Sequence, residues 1–582
     1  MNDTPFNHSH FIGYINHVSP QFVKLHFPSS VLMKSFSFYG EELKGGLVGS
    51  YVVIEGEKYG FLGKILEISL PEKERLELSE KSFNTKEFHP SGKIEILMSF
   101  DLFDPHEINK GLNSLPLIGS KVFICSSDFI RNYFKAFGVK PEHKNFAPII
   151  KLGKLTYDNS TIIELSQQAL FSRHCAVVGT TGGGKSYTVS KLLEGIIENR
   201  GKAIIIDPTG EYTACTNGQH AEATSLMTDS SFSYTNLTIS DLFVLFRPAG
   251  QVQQPILLEA IKSLKILNIL EENKDSDYIE QTESGYQIKI NDKIYNIVVE
   301  NGAIKKEGNE KKPFNYIYGR FQGEIESLEA NFNISCLSKQ IVNECIWDTD
   351  RQSNMKWGGR NDPHLNNCVS LILRINNILN SEDYKNMFGF KGDNKDLISI
   401  IDNFLKNDKY VLRIGFENVP YNFQVREILA NSIGKYLLNL SRKEKFKEKP
   451  LVLFIDEAHQ FLNKKVKDEY FESTELNSFD TIAKESRKYG LFLCVATQMP
   501  RDIPIGTLSQ IGTFIIHRLI NHQDKEAISN ACSSANKDTL TFLPILGSGE
   551  AILLGVDFPM PVMFKVDLPK IEPDSKTPLF SF

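Results

Sequence analysis

Apolar positions along the chain fall into two textures. Over residues 1–150, runs such as "FIGYINHV", "FVKLHF", "GSYVVIEGEKYGFLGKILEISL", "GKIEILMSF" and "GSKVFICS" alternate apolar with polar residues and are broken by Gly, Pro and Asn. That period belongs to strands with one buried face. It predicts a small antiparallel β-barrel or sandwich, with an open meander packed on the next domain as the alternative. From residue 151 the apolar runs become continuous, in "CAVVG", "KAIIID", "PLVLFID" and "GLFLCVAT", and helical periodicity appears between them, as in "SYTVSKLLEGIIENR". Strands without a polar face are what a parallel sheet covered on both sides requires. This part of the chain is expected to be an α/β core.

The sheet signal is interrupted between Tyr212 and Pro450. "PILLEAIKSLKILNILEEN", "LSKQIVNECIW" and "NNCVSLILRINNILN" carry helical spacing, residues 275–312 read as a polar β-hairpin on the surface, and "KYVLRIGF" reads as a returning core strand. The expected division is an N-terminal β-barrel (1–150), a first part of the core (151–215), an inserted helical subdomain (216–400), a second part of the core (401–560) and an extended tail (561–582). The tail is Pro-punctuated, suited to bracing across a neighbouring subunit or to remaining unstructured.

Length and composition narrow the classes. The 582 residues exceed what one hydrophobic core serves, and 41% hydrophobic with 23% charged residues describes a folded chain rather than a disordered one. A net charge of −6 argues against coating nucleic acid with the whole surface, yet leaves room for a basic cleft or ring lining. The eight cysteines are scattered, without a CxxC pair or a metal-ligand cluster, as expected of reduced thiols. No apolar run reaches about 18 residues and no signal peptide is indicated, so the expectation is a cytoplasmic protein without a membrane anchor.

The chemistry is concentrated in "HCAVVGTTGGGKSYTV". Gly179, Thr180, Thr181, Gly182, Gly183, Gly184, Lys185 and Ser186 match G-x-x-x-x-G-K-S in full, between an expected strand and an expected helix, and with Tyr187 they are the expected nucleotide-binding residues. Backbone N–H groups and the helix N-terminus favour phosphate there, Lys185 is placed for the β- and γ-phosphates and Ser186 for Mg²⁺. "LVLFIDEAH" supplies the acidic partner, with Asp456 for the Mg²⁺ shell and Glu457 to polarise a water. The alternative for this pair is a strand cap without chemistry. Gln498 ends the next apolar strand as a candidate sensor of the γ-phosphate. Arg487, before that strand, is a candidate arginine finger for a neighbouring subunit, and Arg173 is a further candidate phosphate contact or a domain-junction anchor. Asp207 and Glu211 in "IIIDPTGEY" either support the metal and its waters or simply stabilise a turn.

These stretches, with "LFSRHCAVVG", "FIDEAHQFL", "ESRKYGLFLCVATQMPRDIP", "LSQIGTFIIHRLINHQD" and "LPILGSGEAILLG", resemble the HerA branch of the HerA/FtsK superfamily of DNA-pumping ATPases, in the family's order over about 400 residues. The resemblance implies a RecA-like P-loop ATPase core with an inserted helical bundle and a small N-terminal β-barrel, assembled as a homohexameric ring. Hydrolysis of ATP with Mg²⁺ is then carried by Lys185, Ser186, Asp456, Glu457, Gln498 and Arg487. One departure is Gly183, where the family commonly has Ser.

The resemblance also implies double-stranded DNA in the pore and a partner effector docked on the barrel. That effector is a NurA-like nuclease, another nuclease or a sirtuin-type NADase. The expected role is a motor that powers such an effector in anti-phage defence. The alternatives are HerA-NurA-type end resection in repair and an ATP-controlled scaffold for which DNA movement is secondary. Lys464, Lys465 and Lys467, in "NKKVKDEY" after the acidic pair, are the candidate pore contacts to phosphate, with a solvated charge run as the alternative. A membrane-attached secretion ATPase and a P-loop kinase fit less well, the first for lack of an anchor and the second because the acidic pair, Gln498 and the insertion serve no purpose in one.

Overall fold

The computed structural model describes residues 5–20, 22–33, 35–38, 41–44, 48–72, 88–102, 108–109, 114–136, 147–156, 161–216, 218–389, 395–462, 464–468, 471–532, 535, 537–556 and 558–575. The alternating runs at the amino end close on themselves. Strands β1 (Phe11–Val18), β2 (Val23–His26), β3 (Tyr51–Ile54), β4 (Tyr59–Ser69), β5 (Ser91–Asp101) and β6 (Lys121–Ile124) pair antiparallel in the order β2-β1-β6-β3-β4-β5. A β2–β5 ladder completes the circuit. One set of alternate positions, including Ile12, Leu25, Val52, Phe61, Ile94 and Val122, fills the interior. Closure leaves these six strands without a free edge.

The other set, including Val53, Leu62, Phe100 and Phe123, shares a core with Ile150 and Leu152 of the following domain. The barrel is therefore seated on the core sheet rather than tethered to it, and Tyr51 Oη donates to the Pro561 carbonyl (3.1 Å) across the junction.

The continuous apolar runs build one eleven-stranded sheet. Its members are β7 (Ile149–Leu155), β8 (Ile162–Ser166), β9 (Cys175–Val178), β10 (Lys202–Asp207), β11 (Ala221–Ser225), β16 (Val411–Gly415), β17 (Leu451–Ile455), β20 (Leu491–Thr497), β21 (Thr513–Ile516), β22 (Glu550–Gly555) and β23 (Phe558–Val566), in the order β8-β7-β23-β22-β21-β9-β20-β17-β10-β16-β11. The seven strands from β21 to β11 are parallel. The other four add antiparallel at one side. Side chains alternate between two cores: Ala176 and Val178 face one, Cys175 and Val177 the other, and helix α1 (Lys185–Glu198) covers the second through Leu192 and Ile196. Burial on both faces explains why these strands lack polar alternation.

Between β11 and β16 run helices α2 (Gly250–Glu272), α3 (Lys311–Arg320), α4 (Leu337–Glu344), α5 (Asp362–Asn380) and α6 (Leu397–Lys406), among shorter ones. The segment expected to be a polar surface hairpin is instead a four-stranded antiparallel sheet of β12 (Ile279–Thr282), β13 (Gly285–Ile290), β14 (Lys293–Glu300) and β15 (Ala303–Ile304). Tyr286, Ile288 and Ile290 alternate on β13 and bury one face against Ile266, Leu270, Phe314 and Ile317 of α2 and α3. Helix α7 (Val425–Arg442) then returns along the core sheet, burying Ile428, Leu429 and Ile433.

The expected tail begins inside the sheet, because β23 runs to Val566 and pairs with both β22 and β7. Beyond it the chain, expected either to brace a neighbouring subunit or to remain unstructured, lies against α1 and the segment after β10 of its own fold. Lys570 N donates to Glu194 Oε2 (2.8 Å), Cys215 Sγ to Ile571 O (3.5 Å), and Tyr187 Oη to Glu572 Oε2 (3.2 Å). Residues 576–582 lie outside the described residues. No helix among the described residues is long and apolar enough to cross a membrane.

Candidate active site

Parallel strands end together, so the residues that follow β9, β17, β20 and β21 gather on one edge of the sheet. The loop after β9 is the glycine-rich stretch. Gly184 caps α1 in the left-handed region at φ 114°, a conformation that L side chains rarely adopt. A Cβ on Gly179 would come within 2.6 Å of His517 Cβ, so the loop must be bare to pack on the β21 end. Thr180 N donates to Arg518 O (3.0 Å), Gly549 N to Gly183 O (3.0 Å) and Gly179 N to Thr497 O (3.2 Å). The loop is thereby clamped from three sides before any phosphate arrives.

Lys185, at the start of α1, is buried and lies 3.3 Å from Asp456 Oδ1 and 2.6 Å from Glu457 Oε1. Burial alone would lower its pKa, and the two carboxylates outweigh that and raise it. Asp456 directly follows β17 and is 1% exposed; burial drives its carboxyl up to about 7 against the pull of Lys185, with Glu457, Glu211 and Asp207 pushing the same way as burial. Glu457 holds a left-handed backbone at φ 43°, the kind of local strain that collects at working sites. Gln498 follows β20 and joins two parts of the site: its Nε2 donates to Glu457 Oε1 (2.9 Å) and its Oε1 accepts from Thr181 Oγ1 (2.7 Å). Lys185, Asp456, Glu457, Gln498 and Thr181 thus form one connected cluster.

Two arginines lie elsewhere. Arg173 precedes β9 and Arg487 precedes β20, so both sit at the amino ends of strands whose carboxyl ends carry the site. Four residues of strand separate the edges by about 13 Å. Arg487 is exposed and donates from Nε to Ser172 O (2.9 Å), while Arg173 O accepts from Gly512 N (2.6 Å). As a contact to the phosphates of its own loop, Arg173 is corrected. Asp207 is not directed at the site either: its oxygens accept from Thr209, Gly210 and Tyr212 N–H groups and from Arg413 Nε (2.7 Å).

Tyr187 turns toward Glu572. Lys464, Lys465 and Lys467 lie on β18 (Lys464–Asp468), which pairs with β19 (Phe471–Leu476) in a hairpin after the acidic pair. Asn463 and Tyr470, the ends of that stretch, fall outside the described residues.

Sequence reasoning missed His517, Arg518 and Gly549. His517 is fully buried beneath the glycine loop, its Nδ1–H donating to Glu550 O (2.9 Å) and its Nε2 accepting from Thr188 Oγ1 (2.8 Å); burial lowers its pKa to about 4, so the ring is neutral. Arg518 is the arginine that does stand on the nucleotide edge. The "HR" and "GSG" steps at the ends of these strands were the available signal, but their meeting with the loop depends on β21 lying beside β9.

The cluster suits a nucleotide-borne divalent cation. Ser186 begins α1, and the Asp456 Oδ2 oxygen is buried without a hydrogen-bond partner. Among the described residues no group of three or more His, Cys, Asp or Glu side chains could hold a metal by itself. A cation that takes most of its ligands from phosphates and water needs only one or two protein oxygens.

Comparison with known proteins identifies the family. The family models "Helicase HerA, central domain" and "Helicase HerA-like C-terminal" match residues 150–411 and 442–568, together about two thirds of the chain. A probable helicase of Methanocaldococcus jannaschii is 26% identical over 424 residues, covering 72% of this chain and 70% of that protein. A probable DNA double-strand break repair helicase HerA of the same organism is 25% identical over 471 residues, covering 78% and 82%. Among solved structures, VirB4 of Thermoanaerobacter pseudethanolicus is a distant likeness, with 13% identity, 72% of this chain and 96% of that chain covered, and a TM-score of 0.41.

Proposed function

The chain belongs to the HerA helicase family and is an ATP-hydrolysing enzyme, and from that premise we propose that it works as a ring-shaped motor on double-stranded DNA. The observation that carries the proposal is the Lys185–Glu457–Gln498–Thr181 chain of contacts, which links the phosphate loop, the water-activating carboxylate and the end of β20. In this reading Lys185 and the loop N–H groups bind the phosphates of ATP, and Ser186 and Asp456 hold Mg²⁺, which neutralises phosphate charge when bound. Glu457 orients the attacking water, and Gln498 registers the loss of the γ-phosphate.

Arg487, on the far edge, acts on the nucleotide of an adjacent subunit, which requires a homo-oligomeric ring that we take to be six-membered, while Arg173, packed against Gly512, anchors the domain junction. The helical insert between β11 and β16 is counted as part of each subunit, and Lys464, Lys465 and Lys467 on their hairpin are the proposed contacts to DNA phosphate. The load we assign is a partner nuclease or other effector seated on the closed barrel. The relatives named for double-strand break repair support DNA-end processing as the leading role.

Anti-phage defence is the second reading. What favours it is the four-stranded sheet, whose strand β14 leaves much of its surface open as a second docking face. The test is ATP hydrolysis by the purified chain with and without linear duplex DNA, alongside its native mass. Stimulation by DNA in an oligomer supports the motor, and a monomer indifferent to DNA contradicts it.

A further inference from the structure

The turn after β10 presents two side chains, Glu211 and Tyr212, each with one buried oxygen outside good hydrogen-bond geometry. Asp207 spends both oxygens on holding that turn: Oδ1 accepts from Thr209 N (3.2 Å) and Gly210 N (2.8 Å), Oδ2 from Tyr212 N (3.1 Å) and Arg413 Nε (2.7 Å). The main chain is pinned again where Asp574 N donates to Glu211 O (2.8 Å). Tyr212 is fully buried within the field of Asp456, Glu211 and Asp207, its hydroxyl close to the Ser186 side chain but outside good hydrogen-bond geometry; burial and those charges raise its pKa against the pull of Ser186 and keep the phenol protonated. Glu211 Oε2, Tyr212 Oη and Asp456 Oδ2 are all buried without a partner in hydrogen-bond geometry.

One buried orphan oxygen costs about 1–3 kcal/mol, and three whose charges act on one another, with Tyr212 beside Ser186, call for a common partner. It must satisfy two carboxylates and a neutral phenol at once, which a cation with bound waters does: the metal meets carboxylate, and water O–H groups meet the remaining acceptors.

We propose that Glu211 and Tyr212 are positioning residues of the metal site, accepting hydrogen bonds from the water shell of the divalent cation that Ser186 and Asp456 hold with the nucleotide. The inference rests on the nucleotide-site reading above. It divides the labour within "DPTGEY": Asp207 builds the turn, while Glu211 and Tyr212 face the cation. Partners of this kind, one shell removed from the metal, change its affinity by about 10–100-fold when lost.

The test uses Mn²⁺ as probe, titrated into the full-length chain saturated with ADP and read by the electron paramagnetic resonance of free Mn²⁺. Binding of a fluorescent ADP in EDTA serves as the metal-free control. Glu211→Gln and Tyr212→Phe are each expected to weaken Mn²⁺ about tenfold or more while metal-free ADP affinity stays within about twofold. If both variants hold Mn²⁺ as tightly as the parent chain, the inference is overturned. Failure of the unaltered chain to take up Mn²⁺ with ADP would instead overturn the nucleotide-site reading. Should Glu211→Gln not fold, Tyr212→Phe decides alone, since it removes only one oxygen from a ring that stays in place.

Discussion

Lys185 Nζ and Glu457 Oε1 are 2.6 Å apart, both groups are buried, and the same oxygen accepts from Gln498 Nε2 at 2.9 Å. A phosphate that takes the lysine therefore competes with the Glu457 carboxylate, which we propose activates water, and Gln498 is attached to that exchange from the start. The coupling between nucleotide binding and the end of β20 is built of three hydrogen bonds, the third from Thr181.

Gln498→Ala removes two of those bonds without touching Lys185. ATP turnover should fall at least tenfold while nucleotide affinity changes less than about threefold, because the amide acts after binding. Steady-state hydrolysis measured beside equilibrium nucleotide binding checks this; an equal loss in both would make Gln498 a binding residue.

Arg487 precedes β20 and Glu457 follows β17, at opposite strand ends, so in the proposed ring one active site would draw them from two chains. Arg487→Ala and Glu457→Gln are each expected to lose more than about 100-fold in hydrolysis, the scale of losing transition-state charge stabilisation. Mixed in equal amounts and allowed to exchange, they should recover a measurable fraction of activity at sites that combine an intact Arg487 with an intact Glu457. No recovery in demonstrably mixed oligomers would remove Arg487 from the mechanism.

Arg413 is 1% exposed and neutralises Asp207 at 2.7 Å while also reaching Glu417 at 2.9 Å. Arg413→Met leaves a buried carboxylate unpaired, and such a loss costs about 3–5 kcal/mol. Thermal or urea unfolding should show a large drop; a change below about 1 kcal/mol would mean that the turn finds another partner.

Acid should weaken the core through His174. Its Nδ1 accepts from Leu493 N (2.9 Å) and its Nε2–H donates to Ala483 O (3.0 Å), so a second proton breaks the first bond. Burial chiefly, and then the charge of Arg487, lowers its pKa to about 4 from an ordinary 6.5. The folded state therefore prefers the neutral ring: its contribution is whole above pH 6.5 and is lost as pH falls toward 4. Between pH 6.5 and 5 the loss is about 2 kcal/mol for one such group. His517 adds a loss of the same sign. Urea midpoints across this range should fall in the parent chain and fall less steeply in His174→Gln.

Much of the site was legible because its members stand next to strong local patterns. The glycine loop follows an apolar run and opens a helix, and Asp456 ends another apolar run, so spacing alone locates Lys185, Ser186 and the acidic pair. A small barrel or sandwich was legible from the alternation over 1–150, and only the β2–β5 ladder decides for the barrel. His517, Arg518 and Gly549 were not, because they reach the loop only through the lateral order of β21, β9 and β22, which no local period encodes. Glu211 was indistinguishable from Asp207 until the hydrogen bonds of the turn separated them, and Tyr212 carried no signal of its own in the sequence. The sheet over 279–304 reads as a polar hairpin because the charged stretch 305–312 lies against it in the sequence, although Tyr286, Ile288 and Ile290 already alternate.

The central claim is that this site hydrolyses ATP in response to duplex DNA. The most direct measurement is the steady-state ATPase rate of the purified oligomer, titrated with blunt linear duplex, for the parent chain and for Lys185→Ala. The account predicts a rate that rises several-fold with DNA in the parent chain and stays at background in the variant. A parent rate unaffected by DNA, or a DNA-stimulated rate that survives Lys185→Ala, would contradict it.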